Sequence, residues 1–277
     1  MADSDAPICV VTGATAGIGL ETARRLARTR MALVLVGRNA AKLESAAREV
    51  GVGTRTFVAD LSMQSDVRRV AQALNAALPR IDVLINNAGA LFVRREETGE
   101  GIERTWALNH LGYFLLTNLM LGALRQSRSA RVVNVASQAH RKATIDFDDL
   151  EGKHSYNAWR AYGQSKLANI MFTYELARRL KGSSISVNAL HPGFVNSDFG
   201  DNNGFLARQV IRIAKRFGGI PLAQGAETSV HLASAVELAG QSGAYYDQAQ
   251  AVRSSQVSYD EAAQRRLWDV SAAQVGL

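Results

Sequence analysis

Cysteine is almost absent from this 277-residue sequence, in which Cys9 is the single example. One thiol cannot form an intrachain disulfide or a zinc site made of thiolates, so neither kind of cross-link stabilises this fold. A chain of this length with 47% hydrophobic residues can bury enough apolar surface to fold without them. The low cysteine content favours reducing surroundings, and we therefore expect a cytoplasmic protein.

Targeting signals and long hydrophobic runs are missing as well. The opening letters, MADSDAP, are acidic and carry neither the basic nor the apolar region of a secretory signal. The longest apolar stretch, residues 111–124, contains Thr117 and Asn118 and is shorter than the roughly 18 to 20 residues that a membrane helix needs. We expect this stretch to form a buried core helix and the protein to have no stable membrane insertion.

Acidic residues are fewer than basic ones, with 25 Asp and Glu against 32 Lys and Arg, which gives a net charge of +7. The basic residues are scattered and few aromatic residues stand among them, so the pattern argues against nucleic acid binding. Attraction to anionic small molecules or to an anionic surface remains open. The five histidines show no metal-ligand spacing, and we predict no metal site.

Short runs rich in valine, isoleucine and leucine alternate with amphipathic segments of helical length. The predicted strands are residues 8–12, 32–36, 54–59, 81–85, 131–136 and 184–190, and the predicted helices are residues 17–29, 40–50, 63–78, 101–126 and 159–180. Such alternation is typical of an α/β fold whose parallel sheet is covered by helices on both faces. Because no linker or repeat interrupts it, we expect residues 1–277 to form a single domain.

Two segments depart from this alternation. Residues 144–159 are polar and aromatic and form an insertion between a predicted strand and a predicted helix. Residues 194–219 contain a predicted amphipathic helix, 205–217, with one basic and one apolar face. We interpret residues 198–219 as a substrate lid, because closing lids exclude water from a site. An element that lies on anionic lipid or on a partner is the alternative.

A glycine-rich turn, TGATAGIG at residues 12–19, separates the first predicted strand from the first predicted helix. Glycines permit positive φ and close backbone approach, so the N–H groups of the helix can face a pyrophosphate. The spacing is G-x-x-x-G-x-G rather than the G-x-G-x-x-G of the common dinucleotide fingerprint. A tight turn without a ligand is the alternative. The predicted cofactor contacts here are Gly13, Thr15, Ala16, Gly17, Ile18 and Gly19.

The end of the second predicted strand bears on which dinucleotide is bound. In NAD-binding proteins an acid about 20 residues after the glycines grips the ribose 2′-hydroxyl. Here the sequence reads Gly37-Arg38-Asn39, and no acid occurs before Glu44. A guanidinium can form charge-assisted bonds with a 2′-phosphate, so Arg38 predicts NADP(H), with a solvated surface arginine as the alternative.

Two further turns should lie at the same sheet edge, because the carboxyl ends of parallel strands line the ligand crevice. A carboxylate at position 60, after the third predicted strand, can accept from the adenine amino group. The letters NNAG at residues 86–89 follow the fourth predicted strand, although Asn86 and Asn87 could be ordinary turn residues. The predicted cofactor contacts from these turns are Asp60, Leu61, Asn87, Ala88 and Gly89.

An ordered set of polar residues follows along the chain. Tyr162 and Lys166 stand four apart in a predicted helix and share one face, Ser137 ends the fifth predicted strand, and Asn109 precedes it. Together with the glycine turn, this set resembles the short-chain dehydrogenase/reductase family over nearly the whole chain. The resemblance implies a doubly wound, mainly parallel, seven-stranded Rossmann sheet with helices on both faces.

The residue types suggest a chemistry for this set. Carbonyl reduction needs a hydride and a proton for the developing alkoxide. A free tyrosine has a pKa of about 10, and a neighbouring ammonium and a cationic nicotinamide would lower it, so Tyr162 is the predicted acid/base. Ser137 is placed to hydrogen-bond the substrate oxygen. The resemblance implies that Tyr162 and Lys166 also contact the cofactor, Lys166 at the nicotinamide ribose, and that Asn109 supports a proton relay.

The loop after the sixth predicted strand begins HPGFVNS at residue 191 and resembles the family's Pro-Gly loop. This resemblance implies that Pro192, Gly193, the backbone near Val195 and the hydroxyl of Ser197 bind the nicotinamide end of the cofactor.

Several details resemble one branch of the family, the retinol dehydrogenases. They are the long interval between Ser137 and Tyr162 and the letters LNHLGYFLLT at 108–117, SKLAN at 165–169 and RLWDVS at 266–271. The resemblance implies NADP(H)-dependent hydride transfer to or from a bulky lipophilic ketone, aldehyde or alcohol, and allows a homodimer. The alternative is a catalytically silent NADP(H)-binding sensor or regulatory protein.

Overall fold

The computed structural model describes residues 6–193 and 220–277, whose strands form one sheet in the order β3-β2-β1-β4-β5-β6-β7-β8. Seven strands run parallel, and β8 pairs antiparallel with β7. The strands are β1 (Ile8–Thr12), β2 (Ala32–Gly37), β3 (Arg55–Val58), β4 (Val83–Asn86), β5 (Ala130–Val135), β6 (Ile185–His191), β7 (Tyr245–Asp247) and β8 (Gln250–Val252). The predicted doubly wound, mainly parallel sheet is confirmed, with eight strands among the described residues in place of the expected seven.

The additional strand exists because the chain reverses directly after β7. Gln248 and Ala249 both have positive φ, 48° and 60°, as the central residues of a type I′ hairpin turn do. Such turns are recognised in sequences by Asn-Gly or Asp-Gly, and Gln-Ala carries no such signal. All three residues of β8 are exposed, so no apolar pattern marks this strand either.

Helices cover both faces of the sheet. They are α1 (Gly17–Ala27), α2 (Ala40–Val50), α3 (Gln64–Ala77), α4 (Arg104–Trp106), α5 (Gly112–Arg125), α6 (Ala158–Arg179), α7 (Leu222–Ser234) and α8 (Glu261–Val275). Successive side chains of β1 alternate between two cores: Val10 packs in the core beneath α3, α5 and α6, and Cys9 and Val11 pack in the core on the α1 face. The near-continuous apolar strands of the sequence therefore reflect burial on both sides.

The predicted helix 101–126 is divided in the structure. Gly101 has a φ of +76°, and the helix begins only after Glu103, whose carboxylate accepts from the N–H groups of Thr105 and Trp106. Between α4 and α5, Ala107–Leu111 form a π-helical turn. The insertion predicted at residues 144–159 consists of turns as far as Asn157, whose side chain caps α6.

Among the described residues, the stretch Arg104–Arg125 is long and apolar enough to cross a membrane, judged by length and composition alone. At 22 residues it is longer than the apolar run predicted at residues 111–124. Most of it is buried inside the protein, as in a core helix, and α5 packs against α3. The predicted core role of residues 111–124 is therefore confirmed. The predicted lid at 198–219 and the helix at 205–217 lie outside the described residues.

Candidate active site

The glycine turn packs against the turn that follows β4, at the carboxyl edge of the sheet. Gly13 has a φ of +65°, and a Cβ atom there would lie 2.7 Å from Cα of Ala88. A Cβ atom on Gly19 would lie 2.4 Å from Nδ2 of Asn87. Both positions therefore require glycine, and the two predicted cofactor turns form one surface.

Two polar side chains lock these turns together. The amide of Asn87 donates to the carbonyls of Thr12 and Gly13, at 2.9 and 3.3 Å, so this residue is more than an ordinary turn residue. The hydroxyl of Thr12 donates to Ile85 O and accepts from the N–H groups of Asn87 and Ala88. Sequence reasoning missed Thr12, although a hydroxyl residue at the end of a buried strand was the available signal.

The N-terminus of α1 fits a phosphate group. Ala16 precedes the helix in an extended conformation, and no side chain among the described residues caps the N–H groups that follow it. Gly17 has a φ of +57° and opens the helix. Uncapped N–H groups and the positive end of the helix dipole favour an anion at this place. The residues present thus fit the pyrophosphate of a dinucleotide.

At the adenosine end of this edge, Arg38 is exposed directly after β2. A Cβ atom on Gly37 would lie 3.0 Å from Cγ2 of Thr15, so glycine keeps room between β2 and the first turn. Oδ1 of Asp60 accepts from the N–H and the hydroxyl of Ser62. The carboxylate is therefore held in a turn, and its contact with adenine stays a prediction, as does the cofactor role of the neighbouring Leu61.

Asn86 differs from its neighbour Asn87. Its side chain is buried, and its amide donates to Thr117 Oγ1 and Asn134 Oδ1, both at 2.8 Å. These bonds join the end of β4 to β5 and α5. Asn86 is thus a structural residue of the core, in agreement with its omission from the predicted cofactor contacts.

Ser137 and Tyr162 meet at the same edge. Ser137 follows β5, its hydroxyl accepts from the N–H of Ala139 at 3.2 Å, and it shares a side-chain hydrogen bond with Tyr162. Tyr162 is buried in α6. Burial raises its pKa to about 12, and the bond with Ser137 opposes this increase.

Lys166 lies one turn further along α6, and its Nζ donates to the carbonyl of Val135 at 3.0 Å. Nζ is 5.7 Å from the ring centre of Tyr162. Burial lowers the pKa of this amine to about 7. The expected lowering of the pKa of Tyr162 by an adjacent ammonium is therefore wrong for the protein itself, because desolvation dominates the pKa of both groups.

Asn109 lies in the π-helical turn, fully buried. Its side chain accepts from the N–H of Ala90 and donates to the carbonyl of the same residue, both at 2.9 Å. A Cβ atom on Gly89 would lie 3.1 Å from Nζ of Lys166 and 3.3 Å from Oδ1 of Asn109. Oδ1 of Asn109 and Nζ of Lys166 therefore both lie close to Gly89, and the proton-relay role of Asn109 stays a prediction.

Asn169, which sequence reasoning missed, supports this turn. Its amide donates to the carbonyl of Asn109 at 2.8 Å, and its Oδ1 lies 3.4 Å from Nδ1 of His110. π-helical turns inside α-helices occur frequently at functional sites. The turn has no propensity signature, so the letters at 107–111 could not predict it.

The loop after β6 is described only as far as Gly193. Gly193 has a φ of +85°, and a Cβ atom there would lie 2.4 Å from Cδ1 of Ile220. The predicted contacts Pro192 and Gly193 thus adjoin β6 at the same sheet edge, whereas Val195 and Ser197 lie outside the described residues.

Comparisons with known proteins agree with this geometry. The family model described as short chain dehydrogenase matches residues 7–204. Retinol dehydrogenase 14 from Mus musculus is 38% identical over 97% of this chain and 85% of its own length. Retinol dehydrogenase 11 from Homo sapiens is 41% identical over 98% and 86%. A solved uncharacterized protein from Mycobacterium paratuberculosis has a TM-score of 0.80 and 33% identity, covering 99% of this chain and 96% of that one.

Proposed function

The chain belongs to the short-chain dehydrogenase family and is an oxidoreductase that uses a nicotinamide cofactor, and on that premise we propose that it is an NADP(H)-dependent reductase of lipophilic ketones and aldehydes. The observation that carries the proposal is the hydrogen bond between Ser137 and Tyr162 at the edge where the glycine turn lies. Nζ of Lys166 and Oδ1 of Asn109 both lie next to Gly89, in the turn that follows β4.

In the proposed reaction, the bound nicotinamide supplies the hydride. The N-terminus of α1 would hold the pyrophosphate of the cofactor, and Tyr162 and Lys166 would contact its nicotinamide ribose. Ser137 donates a hydrogen bond to the substrate oxygen and so stabilises the negative charge that develops there. Tyr162 gives its phenolic proton to that oxygen. Lys166 would then pass an ammonium proton, through water, to the phenolate and recover one from solvent, with Asn109 supporting this relay.

The pKa of Tyr162 fits the role of a general acid in carbonyl reduction. With a pKa raised to about 12, the phenol carries its proton at neutral pH and is ready to act as a general acid.

The lipophilic substrate class is supported by the surface beside the acid. Trp159 lies three residues before Tyr162 in α6, which places the two on the same side of the helix, and its side chain is 64% exposed. The relatives at 38 to 41% identity carry the name retinol dehydrogenase. We therefore propose that an apolar carbonyl compound packs against this side of α6.

The test is turnover of a carbonyl panel, for example all-trans-retinal, nonanal and acetophenone, followed by cofactor absorbance. We expect oxidation of NADPH with at least one lipophilic member and much slower oxidation of NADH. Turnover with NADH alone would overturn the cofactor proposal. Tight NADPH binding with no turnover on any carbonyl would favour the sensor alternative.

A further inference from the structure

His140 is a buried histidine three residues after Ser137, and both nitrogens of its ring are hydrogen-bonded. Nδ1 lies 2.6 Å from the carbonyl oxygen of Ser137. Nε2 lies 3.2 Å from the main-chain nitrogen of Ser255, which follows β8. The ring also packs edge-on against Tyr245 of β7, with 5.0 Å between ring centres.

These contacts determine the tautomer of the ring. A main-chain N–H can only donate, so Nε2 of His140 must accept from Ser255 and carries no hydrogen. The hydrogen of the neutral ring therefore resides on Nδ1, which donates to the carbonyl of Ser137. That carbonyl also accepts from the main-chain N–H of His140 at 3.1 Å. The backbone of Ser137 is thus held twice by the same residue.

The segment that contains Ser255, the second hydrogen-bond partner of His140, is also held in place. Residues 254–259, which we call the serine turn, are bonded to α6: the hydroxyl of Ser254 lies 2.7 Å from the hydroxyl of Tyr174 and 2.6 Å from that of Ser258. The N–H of Ser254 donates to the hydroxyl of Tyr259 at 3.1 Å. Tyr174 belongs to the helix that carries Tyr162.

We infer that His140 is a positioning residue, which fixes Ser137 against Tyr162 by joining its main chain to the serine turn and hence to α6. His140 has no place in the proton transfer itself. The hydroxyl of Ser137 depends on this backbone, because it accepts from the N–H of Ala139 in the same turn. The serine turn lies beyond residue 204, where the match to the family model ends. The inference rests on the proposed function for its kinetic consequence only.

Two substitutions separate the two bonds of the ring. In His140→Asn the side-chain amide stands where Nδ1 stood and can still donate to Ser137, whereas the bond to Ser255 is lost. In His140→Gln the amide stands near Nε2 and can still accept from Ser255, whereas the bond to Ser137 is lost. His140→Ala removes both bonds. His231→Asn in α7 is the matched control for a histidine away from this edge.

The experiment measures kcat, KM, the dissociation constant of NADPH and the thermal midpoint of each variant with a carbonyl that the wild type reduces. We expect kcat to fall about tenfold or more in His140→Gln and His140→Ala, with KM and NADPH binding nearly unchanged. His140→Asn should recover most of this loss at a thermal midpoint similar to that of His140→Gln. A loss that follows thermal stability alone, or equal kcat in all variants, would overturn the inference.

Hydrogen exchange of the peptide that contains residues 137–143 gives a readout that needs no activity. We expect faster exchange in His140→Gln than in His140→Asn, because only the former releases the Ser137 carbonyl. If the wild type reduces no carbonyl, the proposed function fails while this comparison still decides the role of His140. Equal exchange in the two variants would refute the positioning role even if the enzyme is active.

Discussion

Arg38 is the residue on which the proposed preference for NADP(H) rests. It lies directly after β2, and no acid stands between it and Glu44 to bind a ribose 2′-hydroxyl or repel a 2′-phosphate. In Arg38→Ala, kcat/KM for NADPH should fall by about 10- to 100-fold, which corresponds to the loss of one charge-assisted contact.

The same substitution should leave kcat/KM for NADH nearly unchanged, which serves as the internal control. Steady-state kinetics with both cofactors at one carbonyl concentration make the measurement. A parallel loss with both cofactors would mean that Arg38 supports the fold of the β2 turn and does not recognise the phosphate.

At the scale of elements, the hairpin between β7 and β8 carries backbone strain that a substitution should relieve. Ala249 has a φ of 60°, a conformation that costs a residue with a Cβ atom roughly 1 kcal/mol and costs glycine almost nothing. Ala249→Gly should therefore raise the free energy of unfolding by up to about 1 kcal/mol. The N–H of residue 249, which donates to Thr228 Oγ1, is retained.

Chemical denaturation measures this change, and Ala73→Gly in the middle of α3 is the matched control. The control should lower the free energy of unfolding by about 1 kcal/mol, because glycine in a helix loses more conformational entropy than alanine. A decrease for Ala249→Gly of the same size as for the control would contradict the turn assignment.

The sequence predicts an element well when the interactions that form it lie within that element, and poorly when they come from distant residues. α2 was predicted from residue 40 to residue 50 and forms there, because its apolar periodicity and the capping side chain of Asn39 are local. Strands β1 to β6 were predicted from runs of apolar residues. β7, β8 and the π-helical turn were not predicted, because these short elements depend on tertiary contacts that leave no local pattern.

The candidate site shows the same division. Glycines at 13 and 19 were predicted from their types and are required by the close approach of Asn87 and Ala88. Thr12 and Asn169 form hydrogen bonds with residues that are 75 and 60 positions away in the sequence. No sequence spacing predicts contacts over such intervals. The pKa of Tyr162 could not be predicted either, since it depends on how deeply the phenol is buried.

At the scale of the whole molecule, buried histidines should make folding stability depend on pH. Burial lowers the pKa values of His110 and His191 to about 4. Because the unfolded chain binds their protons near pH 6.5 and the folded chain does not, the free energy of unfolding should fall as pH decreases from 6.5 towards 4. Between pH 6.5 and 5 the loss should be roughly 2 kcal/mol per histidine.

Urea denaturation at pH 7, 6 and 5 measures this slope. In His110→Gln the stability at pH 7 should be lower, since the bond between Nε2 of His110 and Ser271 is changed, but the decrease towards pH 5 should be smaller by one histidine's share. The same slope in the variant and in the wild type would mean that His110 takes up no proton on unfolding in this range.

The central claim of the account is that the buried phenol of Tyr162 delivers the proton, and Tyr162→Phe tests it most directly. The change removes one hydroxyl and keeps the ring that packs beside Lys166. With NADPH and a carbonyl that the wild type reduces, kcat should fall by about 100-fold or more. The dissociation constant of NADPH, measured on the same preparation, should rise by a much smaller factor than kcat falls, because the other cofactor contacts remain. Retention of wild-type kcat by this variant would contradict the account.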